Sequence, residues 1–234
     1  MNIPIPILVT SCWKMRDTWN PYWKFAEKFA PECKKDFVLV TDEYDDALGW
    51  DGKKFVVGKD LGYSKNLLKA IEAARGNTVL LTMDDMFLMG KSDLDYIQDK
   101  AWMLDSGELG MFRLYPCPGP DTIAEGSSWG VISRDARYRV STMAALWRKE
   151  VLIRLLERTG DPWDFELEGT KHSQSFPEIF ASVAREHRPA PWPLYATAVT
   201  RGTWSQEAID LCHQNNIAVS PMTKEERELE CKNS

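Results

Sequence analysis

Residues 79–88 read Val-Leu-Leu-Thr-Met-Asp-Asp-Met-Phe-Leu, and Asp84 and Asp85 within them are the side chains best suited to chemistry. An apolar, partly β-branched run of this kind is the mark of a buried strand. Two acids at the end of such a strand are costly to bury unless something neutralises them. A divalent cation is one remedy, and carboxylate oxygen suits magnesium, manganese or calcium. The plain alternative is that the pair turns the chain or caps a helix. A second acidic group, Asp164, Glu166 and Glu168, alternates with Trp163, Phe165 and Leu167. A carboxylate there could take a proton from a hydroxyl; otherwise these acids cap a helix after Pro162 and are solvated.

Other patterns carry less. Gly126-Ser127-Ser128-Trp129-Gly130 fits Gly-x-Ser-x-Gly. A nucleophile elbow needs a strand before its serine and a helix after it. Here a Pro/Gly loop precedes and a strand-like run follows, so a serine hydrolase is a remote reading. There is no Gly-x-Gly-x-x-Gly and no Gly-x4-Gly-Lys-Ser/Thr, so dinucleotide and P-loop sites lack their fingerprints. His172, His187 and His213 lack His-x3-His spacing, which argues against zinc. Of the ten tryptophans, Trp13, Trp163 and Trp204 are candidates for stacking on a base or sugar, core packing being the alternative.

The elements that would position these groups alternate. Strands are expected at Ile5–Ser11 (with Pro4 and Pro6 at its start), Asp36–Thr41, Lys54–Val57 and Val79–Met83. Helices are expected at Trp19–Phe29, at Tyr63–Ala74, where Leu67, Leu68, Ile71 and Ala74 recur at helical spacing, and from about Ser92 as N-cap. An acidic loop fills Asp42–Asp51. Further on come a Pro/Gly loop at Leu114–Ile123, a strand at Trp129–Ser133 and an amphipathic helix at Ala144–Leu156. A late strand at Tyr195–Val199, a closing helix at Gln206–Asn215 and a charged tail, expected to fray, from Thr223 complete the chain. This order predicts an α/β fold with a mostly parallel central sheet flanked by helices. Ligands in such sheets bind beyond the carboxyl ends of strands. Ser11, Thr41, Asp84 and Asp85 should therefore converge on one crevice. No linker divides the 234 residues, so one domain is expected.

Composition sets outer bounds. Hydrophobic residues make up 44% and charged residues 27%, as in globular proteins. No apolar run approaches the roughly 20 residues that cross a bilayer, and the start has no basic segment of a secretion signal. Five scattered cysteines without Cys-x-x-Cys fit a reducing cytoplasm and no structural zinc. A net charge of −6 excludes generic polyanion binding by the whole molecule. Between Arg134 and Arg158, however, seven basic residues stand against three acids. That run is either a solvated helix face or a phosphate contact.

The order of these pieces resembles a GT-A-type glycosyltransferase over most of Ile5 to about Trp204. Tyr63-Ser64-Lys65-Asn66-Leu67-Leu68-Lys69-Ala70 stands where that family starts a donor-contacting helix. Val79–Leu88 stands at its metal strand, and Trp147-Arg148-Lys149-Glu150 resembles its aromatic-basic-Glu helix. Trp163-Asp164-Phe165-Glu166-Leu167-Glu168 resembles the acidic segment that supplies the base in inverting members. The chain departs from Asp-x-Asp, since Met83 holds the first place and Asp84-Asp85 follow. The resemblance implies residues 1–104 as a nucleotide-sugar half, 105–205 as an acceptor half and 206–234 as a closing helix and tail. It implies Mn2+ or Mg2+ on Asp85 with Asp84, and either His172 or His187 as a third ligand or none. It implies donor contacts from Thr10, Ser11, Lys65, Asn66 and Asp84, acceptor contacts from Trp163 and Trp204, and Glu166, ahead of Asp164, as base. The acceptor would be a hydroxyl on a polysaccharide sugar or on a hydroxymethylated DNA base. A non-catalytic nucleotide- or sugar-binding module on the same fold is the alternative from another class.

Overall fold

A computed structural model describes residues 5–233; Pro4, expected at the start of the first strand, lies outside them. The elements run β1 (Ile7–Thr10), α1 (Trp19–Phe29), β2 (Phe37–Thr41), β3 (Lys53–Val56), α2 (Tyr63–Ala73), β4 (Thr78–Met83) and α3 (Leu94–Asp105). The second half holds β5 (Leu109–Arg113), β6 (Thr122–Ile123), β7 (Trp129–Val131), β8 (Ala145–Arg148), α4 (Lys149–Leu156), α5 (Pro162–Ser173) and β9 (Ile179–Val183). A small hairpin of β10 (Val199–Thr200) and β11 (Thr203–Trp204) leads to α6 (Gln206–Gln214) and α7 (Lys224–Asn233).

One sheet carries the order β3-β2-β1-β4-β8-β5-β9-β7-β6. β1 pairs parallel with β2 and β4, β2 with β3, and β5 with β9. Only β8 and β7 run against the common direction. The expected mostly parallel α/β sheet is therefore present, with helices on both faces. Alternate residues of a strand point to opposite faces, and the two cores obey this. Ile7, Val9, Leu80, Phe112 and Leu146 join α1, α3 and α6 on one side. Leu8, Val79, Leu81, Met111, Ala145 and Trp147 join α2, α4 and α5 on the other.

Four expectations need correction. The helix expected at Ala144–Leu156 is two elements, strand Ala145–Arg148 and helix Lys149–Leu156. Ala145–Arg148 fills the gap between β4 and β5 and bonds to both. Its Trp147 meets Phe165 and Phe180 edge-on, so tertiary pairing overrides local helical spacing. The third helix is capped by Asp93, whose side chain accepts from the Tyr96 N–H, not by Ser92. Tyr195–Val199 is not a strand along its length; it follows the segment after β4 through single bonds, Tyr195 N–H to Phe87 O and Ala198 N–H to Asp85 O. Finally, the tail is helical through Lys224–Asn233, and its Arg227 is buried. β5 and β9, both fully central strands, had no counterpart among the expected elements.

Candidate functional site

The carboxyl ends of β1, β2 and β4 lie side by side, because β1 pairs with both neighbours. Each end delivers a polar group. After β1 the chain forms a short 3-10 turn, Trp13–Thr18, which folds Ser11 and Thr18 back toward β4. Ser11 Oγ donates to Asp84 Oδ2 at 2.5 Å and Thr18 Oγ1 donates to the same oxygen at 2.8 Å. Trp19 Nε1 donates to Ser11 Oγ at 2.6 Å, which fixes that hydroxyl as a donor toward Asp84. Asp84 is only 2% exposed. Burial, then the neighbouring Asp85, raises its carboxyl to about 8, against the lowering effect of the two hydroxyls. Asp84 thus faces inward, into the turn. Thr10 is also internal: its hydroxyl donates to Thr82 O within the sheet.

Asp85 is also buried, at 6% exposure, but has different partners. Its Oδ2 accepts from Thr197 Oγ1 at 2.5 Å and from Val199 N–H at 3.4 Å. Burial raises its pKa as well. The segment expected as a late strand is therefore a clamp on Asp85. At the end of β2, Asp42 accepts from Trp13 N–H at 2.6 Å and from Thr41 Oγ1 at 3.3 Å. Asp42 was not among the expected site residues. Its signal was nonetheless that of Asp84, a carboxylate directly after a buried apolar run. Cys12 senses the resulting field. Burial, followed by Asp84, with further contributions from Asp42 and Asp60, pushes its thiol up to about 12.

The start of α2 closes this side. Gly62 adopts φ +88° at the N-cap, a conformation glycine accepts without strain. Asn66 is buried, accepts from Leu61 N–H and donates to Asp60 Oδ1 at 2.7 Å, so it shapes the loop before the helix. Lys65 is exposed on the first turn.

Across the sheet, the Ala145 end of β8 pairs with Leu81 of β4, so the residues just before it sit at the same end as Asp84 and Asp85. There Thr142 donates from both N–H and Oγ1 to Glu166 Oε1, each at 2.8 Å. Glu166 is half-buried on α5, and Asp164 is exposed in the first turn of that helix. Asp161 provides the N-cap, accepting from Asp164 N–H, and Glu168 pairs with Lys171. The stretch is helical, so only Glu166 of the three acids is drawn to the strand ends. Trp163 is 68% exposed, whereas Trp204 is 7% exposed, packs on Phe87 and donates from Nε1 to Asp17. Trp204 is thus seated in the core. His172 lies on the last turn of α5, and His187 stacks on Tyr96. Among the described residues, no group of three or more His, Cys, Asp or Glu side chains gathers as metal ligands. Ser128 sits in a loop before β7, with Tyr96 OH at 3.2 Å from its hydroxyl. It follows no strand and leads into no helix, so the nucleophile-elbow geometry is missing.

The basic run is mostly engaged internally. Arg134 and Arg139 donate to carbonyls of Phe176, Ile132 and Glu178; Arg148 and Arg154 bind the Glu178 carboxylate; Lys149 donates to Ala74 O. No described helix is long and apolar enough to cross a membrane.

No protein-family model matches the chain, and no curated protein matches it. Solved structures do. A cytidylyltransferase from Leptospira borgpetersenii superposes with a TM-score of 0.50 at 11% identity, over 92% of this chain and 95% of that one. The mannosyltransferase PcManGT from Pyrobaculum calidifontis, solved in complex with GDP-Man and Mn2+, superposes at 0.55 with 15% identity, over 86% of this chain and 59% of that one. TarS from S. aureus superposes at 0.54 with 14% identity, over 96% and 41% respectively. At these identities the likeness establishes the fold. The chain spans about three fifths of the mannosyltransferase and about two fifths of TarS.

Proposed function

We propose that this chain transfers a sugar from a nucleotide-sugar donor to a hydroxyl of a glycan acceptor. The observation that carries the reading is the convergence of Asp42, Asp84 and Asp85 at the carboxyl ends of β2 and β4, where α/β sheets take their ligands. Carboxylates that burial holds toward their neutral form ionise readily beside a cation, and a cation is what a diphosphate brings with it. Asp85 is the side chain that would hold a manganese or magnesium ion; both of its clamp contacts fall on Oδ2, which leaves Oδ1 for the cation. Bound there, such an ion would neutralise the donor's phosphates, and magnesium and manganese commonly need only one or two carboxylates besides them. PcManGT was solved with such a pair of ligands, which supports the reading by fold analogy alone.

The chain's own residues divide the remaining work. Asp84, held neutral by burial, braces the turn that carries Ser11 to Trp13. Asp42 fixes the Trp13 amide and with it the rim on which a base would lie. Lys65, exposed at the start of α2, can add a point charge toward a phosphate. Glu166 is the proposed general base: Thr142 grips Oε1, so Oε2 remains to accept the acceptor's proton. The engagement of Arg139, Arg148 and Lys149 with carbonyls and a carboxylate of the fold favours a glycan over a DNA base as acceptor, since those cations are already partnered.

A non-catalytic binding module is the second reading, favoured by the inward turn of Asp84, which leaves Asp85 as the one acid of the pair available to a cation. The test is a thermal-shift panel of nucleotides and nucleotide sugars, CTP included, with and without manganese, followed by assay of donor hydrolysis. Ligands that bind the fold raise its melting point by mass action. A manganese-dependent shift with a diphosphate sugar, and slow hydrolysis of that sugar, support the enzyme. A shift without hydrolysis or transfer supports the module. No shift with any diphosphate nucleotide would sink the donor site.

A further inference from the structure

The C-terminal helix α7 is unlike the others. Its residues 224–230 are Lys-Glu-Glu-Arg-Glu-Leu-Glu, and all but Arg227 and Glu230 are exposed, Leu229 at 58%. Along residues 224–230 the one apolar side chain, Leu229, is exposed. The main anchor among the described residues is one side chain. Arg227 is 4% exposed and grips Asp17 with both terminal nitrogens, Nη1 to Oδ1 at 2.8 Å and Nη2 to Oδ2 at 2.6 Å. Arg227 Nη1 also donates to Lys14 O, and Nε donates to Gly202 O at 3.1 Å. Arg16 adds a surface pair to Glu230 at 2.8 Å. All of these contacts but the one to Gly202 reach the Trp13–Thr18 turn, the element that bridges Asp42 and Asp84 through Trp13 N–H and Thr18 Oγ1.

We infer that α7 is a latched strap and Arg227 a positioning residue, which holds the Trp13–Thr18 turn in place and through it the Ser11, Cys12 and Asp84 arrangement. The turn is six residues long and has no side-chain cap at its start. A bidentate, charge-assisted pair shielded from water is strong and directional, and it acts at the middle of that turn. Asp17 is held from the other side by Trp204 Nε1 and Met222 N–H, so the ion pair also joins the hairpin and α7 into one support. The link from strap to turn stands on contacts alone. Only its consequence for a nucleotide rests on the function proposed above.

The experiment compares the full chain with Arg227→Met, with the double variant Asp17→Asn/Arg227→Met, and with Glu230→Gln. The double variant leaves no uncompensated buried charge, so it remains informative if the single variant folds poorly. Hydrogen exchange of the peptide spanning residues 13–18 and the alkylation rate of Cys12 report the turn without any ligand. In both Arg227 variants each rate should rise roughly 10- to 100-fold, while β4 and β5 keep wild-type protection. Glu230→Gln, which removes the Arg16 ion pair and leaves the Arg227–Asp17 pair intact, should leave both rates unchanged. Wild-type rates for the turn and Cys12 in a folded Arg227 variant would overturn the inference. So would equal loss of protection in β4 and β5, because Arg227 would then support general stability rather than this turn. Calorimetry with GDP and UDP in manganese adds a separate arm: a nucleotide that binds wild type should bind the variants about tenfold more weakly. If neither binds wild type, the donor reading fails while the exchange and alkylation rates still decide the strap.

Discussion

Asp84→Asn should make the protein more stable, and increasingly so as pH rises. The two oxygens of Asp84 are used unequally: Ser11 and Thr18 both donate to Oδ2, so Oδ1 carries the proton of the neutral acid. Asparagine reproduces that pattern, its carbonyl replacing Oδ2 and its amide replacing the protonated Oδ1. Burial, and then Asp85, push the folded carboxyl up to about 8 from the ordinary 3.8. The sign follows. The folded state holds the proton more tightly, so this stabilisation is complete below about pH 4 and is lost as pH rises through 8. Linkage puts the loss at about 4 kcal/mol by pH 7. For a chain of this length each kcal/mol moves the melting point by about 2–4 °C, so the gap should approach the order of 10 °C. Melting curves of both proteins in EDTA from pH 4 to pH 9 test this. Coincident melting near pH 4 and a gap that widens toward pH 9 are expected. A constant gap, or a variant less stable throughout, would mean that Asp84 is ionised in the fold and that its inward hydrogen bonds stabilise the charge.

Three further outcomes are expected. Asp85→Ala should remove manganese-dependent nucleotide binding, read by calorimetry, with the far-UV spectrum unchanged; wild-type binding would move the metal position elsewhere. Glu166→Gln should lower transfer by about two to four orders of magnitude with donor affinity nearly intact, whereas Asp164→Asn should transfer normally, since general-base catalysis acts in the transition state. Equal turnover in both variants would remove Glu166 from the base role. Iodoacetamide at pH 8 should label exposed Cys117 well before Cys12, Cys33 or Cys212, whose thiols burial pushes to about 12, 11 and 11. Peptide mapping that finds Cys12 first would contradict the burial of that thiol beneath the Trp13–Thr18 turn.

The first half of the fold was legible because its signals are local. Strand β4 alternates into two cores, α2 keeps its apolar spacing, and Asp84 and Asp85 follow an apolar, partly β-branched run that reads as a buried strand. The second half was less so. Ala145–Arg148 has four residues, with a helix attached directly after it, and nothing local separates strand from first helical turn. Its identity is set by β4 and β5 on either side. The site shows the same division. That Asp84 and Asp85 would sit at a strand end could be read from the chain. Which of them turns inward depends on Thr18 and Ser11 from one direction and on Thr197, more than a hundred residues downstream, from the other.

That division bears on how the missing Asp-x-Asp spacing should be weighed. In a strand-end motif with one residue between two acids, both side chains of an extended backbone point the same way. Here the adjacent acids lie in the turn that follows β4, closed by Met86 N–H to Met83 O, and each finds its own partners: Asp84 the turn after β1, Asp85 the clamp at Thr197 and Val199. The adjacent pair therefore divides its work between bracing the turn and facing the crevice. Met83, the last residue of β4, holds the place of the missing first acid, and exchanging it for Asp should supply a second carboxylate to a cation at Asp85. Met83→Asp should then bind manganese more tightly than wild type by roughly tenfold, read by calorimetry without nucleotide. Unchanged affinity would show that residue 83 does not reach a cation at Asp85, and that the crevice is not built on the strand-end geometry argued for it.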